Sequence, residues 1–268
     1  MYPEIFHISF LHTYGVLVAA AFLTGLWMAA RLGRQKGLNV DAVTNLGIYC
    51  ALAAIAGAKL MMFIVDFRYY REHPGELFSF ATLQAGGVFY GGLIAALGIS
   101  WWYMRKTGLP MLETADVFAP AIALGHGIGR LGCFAAGCCW GIECRRPWAV
   151  TFTNPVAREL VGVPIGEPLH PTQLYEAFAE FFIFGILYWR IKNTHRKGDI
   201  ISLYLILYSA ARFIVEFFRY HDQPNPFGGP LNTSQWISLA LFAVGAAHFL
   251  RRGSSGVAIP SPERSRRA

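Results

Sequence analysis

The chain has 268 residues, of which 54% are hydrophobic and only 15% are charged. A soluble domain normally carries about 25% charged residues, and here the apolar residues form long stretches, so the composition excludes an ordinary soluble protein. The net charge of +7 would suit a nucleic-acid-binding protein, but the Lys and Arg residues collect in short loops beside apolar stretches, as orientation signals of membrane proteins do. We therefore expect an all-α, polytopic membrane protein that lies in the lipid bilayer and binds no nucleic acid.

Apolar stretches long enough to cross a bilayer predict about seven transmembrane helices. They cover residues 11–30, 44–65, 88–104, 112–135, 173–191, 200–218 and 234–250. The first stretch follows no basic leader and precedes no small-residue cleavage motif, so we expect it to be retained as a helix.

Basic residues in the connecting loops predict the orientation of these helices. The more basic set of loops contains Arg31, Arg34, Lys36, Arg105, Lys106, Lys192, Arg196, Lys197, Arg251 and Arg252. The positive-inside rule places this set in the cytoplasm, so that the N-terminus and the long loop 136–172 lie outside and the C-terminus lies inside. We expect one transmembrane catalytic domain over residues 1–252 and a disordered basic cytoplasmic tail over residues 253–268.

Arg130 stands out because it lies within the apolar stretch 112–135. A charge inside a membrane helix costs about 2.5–3.5 kcal/mol on insertion scales, so it marks a functional site by default. The planar guanidinium matches a pair of phosphate oxygens, which predicts a site for an anionic group such as a lipid headgroup. The neighbouring Gly125 and Gly129 favour close helix packing, and His126, one turn before Arg130, is interpreted as a hydrogen-bonded structural residue.

The stretch 200–218 and the residue that follows it carry a second charged group. Arg212, Glu216 and Arg219 are four and three positions apart and so share one helical face. One interpretation is an internal ion pair that lets charges lie in the membrane, and the other is a ligand site. Two arginines against one carboxylate leave a surplus positive charge, which an anionic ligand would balance.

Two further groups of polar residues lie near the predicted outer ends of helices. Tyr14 is near the start of the first helix, and His170, Gln173 and Glu176 surround the start of the fifth, where Pro171 suits the first helical turn. Four of the five cysteines lie within twelve positions: Cys133, Cys138, Cys139 and Cys144. They lack the Cys-x-x-Cys spacing usual in zinc sites, and the oxidising outer side favours a disulfide whose pairing the sequence does not give.

Several motifs, taken in order, resemble the bacterial prolipoprotein diacylglyceryl transferase family over nearly all seven stretches. They are Leu11-His12-Thr13-Tyr14-Gly15, Gly91-Gly92-Leu93-Ile94, Gly129-Arg130-Leu131-Gly132-Cys133-Phe134 continuing to Gly141, His170-Pro171-Thr172-Gln173-Leu174-Tyr175-Glu176 and Arg212-Phe213-Ile214-Val215-Glu216-Phe217-Phe218-Arg219. Each motif alone is weak, whereas all of them in this order and in a membrane protein make a specific match.

The resemblance implies an enzyme of the bacterial cytoplasmic (inner) membrane with its active site towards the outer face. Such an enzyme transfers the diacylglyceryl group of phosphatidylglycerol to the lipobox cysteine thiol of a prolipoprotein signal peptide, releases glycerol phosphate, and needs no metal or other cofactor. Arg130 and Arg212 match essential arginines of the family, so we expect both to be catalytic and to bind phosphatidylglycerol. Arg219, Tyr14 and Gly141 are expected to complete the lipid site.

The chain departs from the family pattern at Tyr90, Cys133 and Cys138, where histidine, asparagine and glutamate are usual. Candidate proton acceptors for the thiol are Tyr90, His126 and His170, of which we expect Tyr90 and His170 to be catalytic. Two other functions stay open. A membrane thiol–disulfide oxidoreductase would use the cysteines from Cys133 to Cys144 and leave the arginines unexplained, and an anion or lipid transporter would explain the arginines but lacks an internal repeat.

Overall fold

A computed structural model describes residues 13–79, 82, 87–193, 195–221 and 225–251, which are mostly helical. The α-helices in this part of the chain are α1 (Thr13–Gln35), α2 (Val40–Val65), α3 (Phe67–Glu72), α4 (Phe89–Thr107), α5 (Met111–Ala136), α6 (Pro155–Val161), α7 (Thr172–Lys192), α8 (Asp199–Val215) and α9 (Thr233–Arg251). Short 3₁₀ turns cover Pro74–Phe78, Glu216–Phe218 and Pro226–Gly228. The strands β1 (Val150–Thr151) and β2 (Pro168–Leu169) form an antiparallel pair.

A helix of 17 or more residues lies at each of the seven predicted positions. Five of them are long and apolar enough to cross a membrane, namely α1, α2, α5, α9 and α8 together with its 3₁₀ continuation. The helix α7 is also long, but it carries Glu176, Glu180, Arg190 and Lys192. The helical, multi-pass character is therefore confirmed, while the count of seven crossings and the orientation stay predictions.

The described residues form two compact units. One contains the chain up to residue 32 and from residue 115 onwards, and the other contains residues 33–114. The single domain expected over residues 1–252 stays a prediction. The tail 253–268 and the first two residues of the motif that begins at Leu11 lie outside the described residues.

In the first unit, α5 is fixed against two other helices. A Cβ atom on Gly125 would lie 3.1 Å from the carbonyl oxygen of Ala21 on α1, so the glycine allows the two backbones to approach closely. At its other end α5 supplies Asp116, whose buried carboxylate accepts hydrogen bonds from the backbone N–H groups of Gly198 (2.6 Å) and Ile201 (2.9 Å) at the start of α8. A carboxylate at a helix N-terminus satisfies otherwise unpaired donors, so Asp116 fixes the start of α8 against α5.

The long loop after α5 is a small folded element with its own core. Phe152, Ala157, Val163 and Leu169 are buried together, with β1, α6 and β2 around them. Asn154 begins α6 by accepting a hydrogen bond from the backbone N–H of Val156. The element covers the end of α5 and the start of α7, where several candidate site residues lie.

In the second unit, α2 and α4 pack with their backbones almost in contact. A Cβ atom on Gly57 would lie 2.5 Å from the carbonyl oxygen of Gly91, and one on Gly92 would lie 2.8 Å from that of Ala54. No side chain fits at these points. Gly91 and Gly92, quoted above as a family motif, therefore have a packing role in this unit.

Candidate active site

Three arginines of the first unit converge on one buried carboxylate, that of Glu176 near the start of α7. Arg130 of α5 approaches it with Nε at 2.5 Å, Arg219 lies with Nη1 at 3.6 Å, and Arg212 of α8 forms the closest ion pair. The side chain of Glu176 is 6% exposed, whereas the arginine side chains retain 13–18% exposure. The guanidinium groups are thus mostly shielded from solvent but can still be reached by a ligand.

Arg130 also contacts His126, which in turn contacts Glu180. Its Nε donates a hydrogen bond to His126 Nε2 at 3.1 Å, and His126 Nδ1 lies 2.6 Å from the carboxylate of Glu180. With Nε2 accepting from Arg130, the ring proton belongs on Nδ1, the nitrogen that faces the Glu180 carboxylate. Both ring nitrogens are therefore engaged, which supports the structural interpretation of His126 and disfavours it as a proton acceptor.

The charged face predicted on the sixth helix is present, but it includes a turn. Arg212 pairs with Glu216 at 2.9 Å across one helical turn, and Glu216 also lies 3.2 Å from His221 Nε2. The α-helix ends at Val215, and a 3₁₀ turn carries Glu216 onward before the backbone becomes extended at Arg219. This change of direction brings Arg219 to Glu176 on the neighbouring helix.

The sixth helix alone predicts a surplus positive charge, and this prediction is wrong for the site as a whole. Arg130, Arg212 and Arg219 share this region with three buried carboxylates: Glu176 and Glu216, which pair with the arginines, and Glu180, which pairs with His126. The formal charges balance, but they are not evenly distributed, because three guanidinium groups meet at Glu176 alone. This is the region in which an anion would find several donors at once.

Gly141 holds the loop after α5 against the end of α8. Its N–H donates to the carbonyl oxygen of His170 at 3.0 Å, and its backbone forms a β-bridge with Arg219. A Cβ atom at this position would collide with the carbonyl oxygen of Phe218 and lie 2.6 Å from that of His170. Gly141 is required for this close backbone approach, so the structure shows it positioning Arg219; its expected contact with lipid stays a prediction.

His170 is grouped with aromatic residues. Its Nδ1 lies 2.9 Å from the hydroxyl of Tyr175, and its ring centroid is 5.1 Å from that of Phe218. Burial, with a smaller contribution from the positive charge of Arg146, lowers the pKa of His170 below its ordinary value. The neutral imidazole is therefore favoured, as a proton acceptor requires.

The two tyrosines expected at the site belong to different units. Tyr14 is 44% exposed at the start of α1, and its ring passes 3.5 Å from where a Cβ atom of Gly132 would lie, one half-turn beyond Arg130 on α5. Tyr90 lies in the second unit, at the start of α4, where it is 47% exposed and its ring contacts Phe89. Their roles in lipid binding and proton transfer stay predictions.

The clustered cysteines divide into a group of three and one separate residue. The Sγ atoms of Cys133, Cys138 and Cys139 lie within 4.8 Å of one another, although the sequence lacks the paired spacing of a zinc site. Cys144 is buried elsewhere in the loop, where its N–H donates to the carbonyl oxygen of Pro168. All these cysteines are free thiols in the structure, so the disulfide favoured from the sequence is not formed here.

Sequence reasoning missed the central position of Glu176 and the contribution of Glu180. Both had a signal, because two carboxylates four residues apart in an otherwise apolar helix share one face and need partners there. Tyr208 was also missed: its ring lies 5.6 Å from that of His126.

Comparison with known proteins gives the family of this chain. Residues 3–251 match the family model described as prolipoprotein diacylglyceryl transferase. The chain is 34% identical over 248 residues to the phosphatidylglycerol–prolipoprotein diacylglyceryl transferase of Clostridium tetani, covering 91% of this chain and 95% of that protein. It is 33% identical to the enzyme of the same name from Bordetella avium, covering 90% and 89% of the two chains. Because the match extends over almost the whole sequence, the chain belongs to the prolipoprotein diacylglyceryl transferase family.

Proposed function

We propose that this protein transfers the diacylglyceryl group of phosphatidylglycerol to the lipobox cysteine thiol of prolipoproteins, releasing glycerol phosphate. This is the first step of lipoprotein maturation. The proposed reaction takes place in the bacterial cytoplasmic membrane, at a site open to its outer face. The observation that carries the proposal is the convergence of Arg130, Arg212 and Arg219 on Glu176 inside a membrane protein of this family.

The arginines supply what the leaving group needs. When the thiol attacks the glyceryl carbon, the C–O bond to phosphate breaks and negative charge grows on the departing glycerol phosphate. Each guanidinium has five N–H donors, more than its contacts with the neighbouring carboxylates use, so donors remain for phosphate oxygens. Because Glu176 holds the three groups in place beforehand, they need little rearrangement as the charge develops, and the low-dielectric surroundings strengthen their effect.

The acceptor brings its own nucleophile, so the reaction requires no cysteine of this chain to attack carbon. A thiol has a reference pKa of about 8.5 and must lose its proton to attack well. We infer that His170 and Tyr90 are the proton acceptors to test, since the ring nitrogens of His126 are both engaged.

The decisive test is transfer by the purified protein in phosphatidylglycerol vesicles labelled in the acyl chains. A peptide with a lipobox cysteine should acquire the label, while the same peptide with serine in place of cysteine should not. Failure to label the cysteine peptide in vesicles that contain folded protein would contradict the proposed function. An oxidation of the peptide thiol without lipid transfer would favour the oxidoreductase instead.

A further inference from the structure

Three thiols meet at the C-terminal end of α5. The Sγ atoms of Cys133, Cys138 and Cys139 all lie within 4.8 Å of one another. With Zn–S bonds of about 2.3 Å, two sulfur ligands of a tetrahedral zinc ion lie roughly 3.8 Å apart. Side-chain movements of about an ångström are therefore enough to place all three sulfur atoms on one ion.

The backbone that carries these thiols is firmly held. The side chain of Gln173 donates to the carbonyl oxygen of Cys138 at 2.7 Å, and Thr172 donates to that of Cys139 at 2.7 Å. Among the described residues, Cys139 is the one non-glycine residue with a positive φ, 61°. Such a conformation persists only when its surroundings enforce it and is frequent at functional sites. The cluster is thus a built arrangement.

The surroundings also suit negatively charged sulfur. Arg130 precedes Cys133 by three residues on α5, so the two share a helical face. Three thiolates on a divalent cation leave one net negative charge, which the nearby guanidinium of Arg130 attracts.

We propose that Cys133, Cys138 and Cys139 bind one Zn²⁺ ion as thiolates and that the acceptor thiol of the prolipoprotein occupies the fourth position. The second half of this proposal rests on the proposed function. Zinc sites with three protein ligands keep the fourth position for water or substrate, and a thiol that coordinates the ion is deprotonated. The three cysteines are half-buried, so the fourth position can be reached from outside the protein.

The chemical step balances without an oxidant or reductant. The acceptor thiol gives up its proton to one of the proton acceptors inferred above, His170 or Tyr90, as its sulfur binds Zn²⁺. The resulting thiolate forms the S–C bond to the glyceryl carbon while the C–O bond to phosphate breaks. The electron pair of that bond leaves with glycerol phosphate, which takes up a proton from solvent, and the zinc ion keeps its oxidation state throughout.

Metal content is the first test, since it needs no activity. Full-length protein incubated with ZnCl₂ and freed of loose metal should hold one zinc ion per chain. Changing Cys133, Cys138 or Cys139 to serine should abolish this binding, whereas Cys144→Ser and Cys50→Ser, which alter cysteines outside the cluster, should retain it. Wild-type protein without zinc, protein holding copper in its place, or a disulfide between two cluster cysteines after purification would each overturn the proposal.

The second test separates the zinc site from the proposed function. Protein loaded with Co²⁺ should show thiolate absorption that changes when a lipobox cysteine peptide is added and stays unchanged with the serine peptide. Removing zinc with a chelator should lower lipid transfer about tenfold or more, because a free thiol is only roughly a tenth ionised near pH 7.5, and zinc should restore it. Full transfer by the zinc-free protein would overturn the zinc proposal and leave the transferase intact. Zinc binding without any transfer would keep the metal site and refute the role in transfer.

Discussion

Single residues decide the chemistry of the arginine cluster. The charge of Arg130 alone predicts an anion site from the sequence, because an arginine within an apolar stretch is costly. The shape of its guanidinium then matters as much as the charge. Its Nε lies 3.1 Å from His126 and 2.5 Å from Glu176, which fixes the guanidinium plane, and a lysine ammonium lacks the planar pair of further nitrogens that can bind two phosphate oxygens.

The substitution Arg130→Lys tests whether the planar guanidinium, with its paired N–H donors, is required. We expect transfer to fall roughly a hundredfold, as when one stabilising donor is removed from a developing anion. The matched control is Arg145→Lys, which changes an arginine whose side chain is 87% exposed and pairs with Glu143 at the surface. Such pairs contribute little, so the control should keep its activity. Both variants are assayed for lipid transfer at saturating phosphatidylglycerol, and near-normal transfer by Arg130→Lys would contradict bidentate phosphate binding.

The sequence predicted the arginines but not how they are held. Arg130 and Arg212 could be identified because each lies in an apolar helix. Glu176 was placed only at the outer mouth of the bundle, because its contacts depend on α7 lying between α5 and the end of α8. That neighbourhood is a property of tertiary packing, to which Asp116 contributes by fixing α8 on α5, and no local pattern in the sequence reports it.

Glycines determine how closely the helices α2 and α4 pack, a role that the sequence alone does not reveal. The motif that begins with Gly91 resembles a family pattern, but the sequence alone gives it no structural role. In the second unit it marks the point where α4 meets α2: a Cβ atom on Gly91 would collide with the carbonyl oxygen of Gly57 and with Met61. Gly98, two turns along the same helix, would direct a Cβ atom into open space.

Gly91→Ala should therefore destabilise the protein, while Gly98→Ala should not. The first substitution forces α2 and α4 apart, and overpacking of this kind costs about 1–3 kcal/mol. The second adds a methyl group without a clash and favours the helix by about 0.5–1 kcal/mol. Thermal unfolding in detergent, followed by circular dichroism, measures both against the unsubstituted protein. Equal midpoints for the two variants would show that the close approach of α2 and α4 contributes little to stability.

For the whole molecule, the distribution of basic residues decides which face carries the reaction. The seven long helices were predicted within a few residues, since apolar length is a strong signal. The folded loop after α5 was not predicted in detail, because its short strands and its core around Phe152 have no periodic pattern. The positive-inside rule predicts that this loop lies outside together with the arginine cluster, and the orientation stays a prediction.

The orientation of the chain in the membrane can be tested with one cysteine introduced on each predicted side of the bilayer. In a chain whose five native cysteines are changed to serine, we introduce Glu159→Cys on the exposed side of α6 and Ser254→Cys in the C-terminal tail. Val163 in the same loop is unsuitable because its side chain is fully buried. A membrane-impermeant thiol reagent applied to intact spheroplasts should label position 159 and leave position 254 unlabelled, because the basic loops hold the C-terminus in the cytoplasm. Lysed cells should show labelling at both positions. A lipobox cysteine meets its donor lipid after export has begun, so labelling at position 254 alone would place the arginines on the wrong face for the proposed transfer.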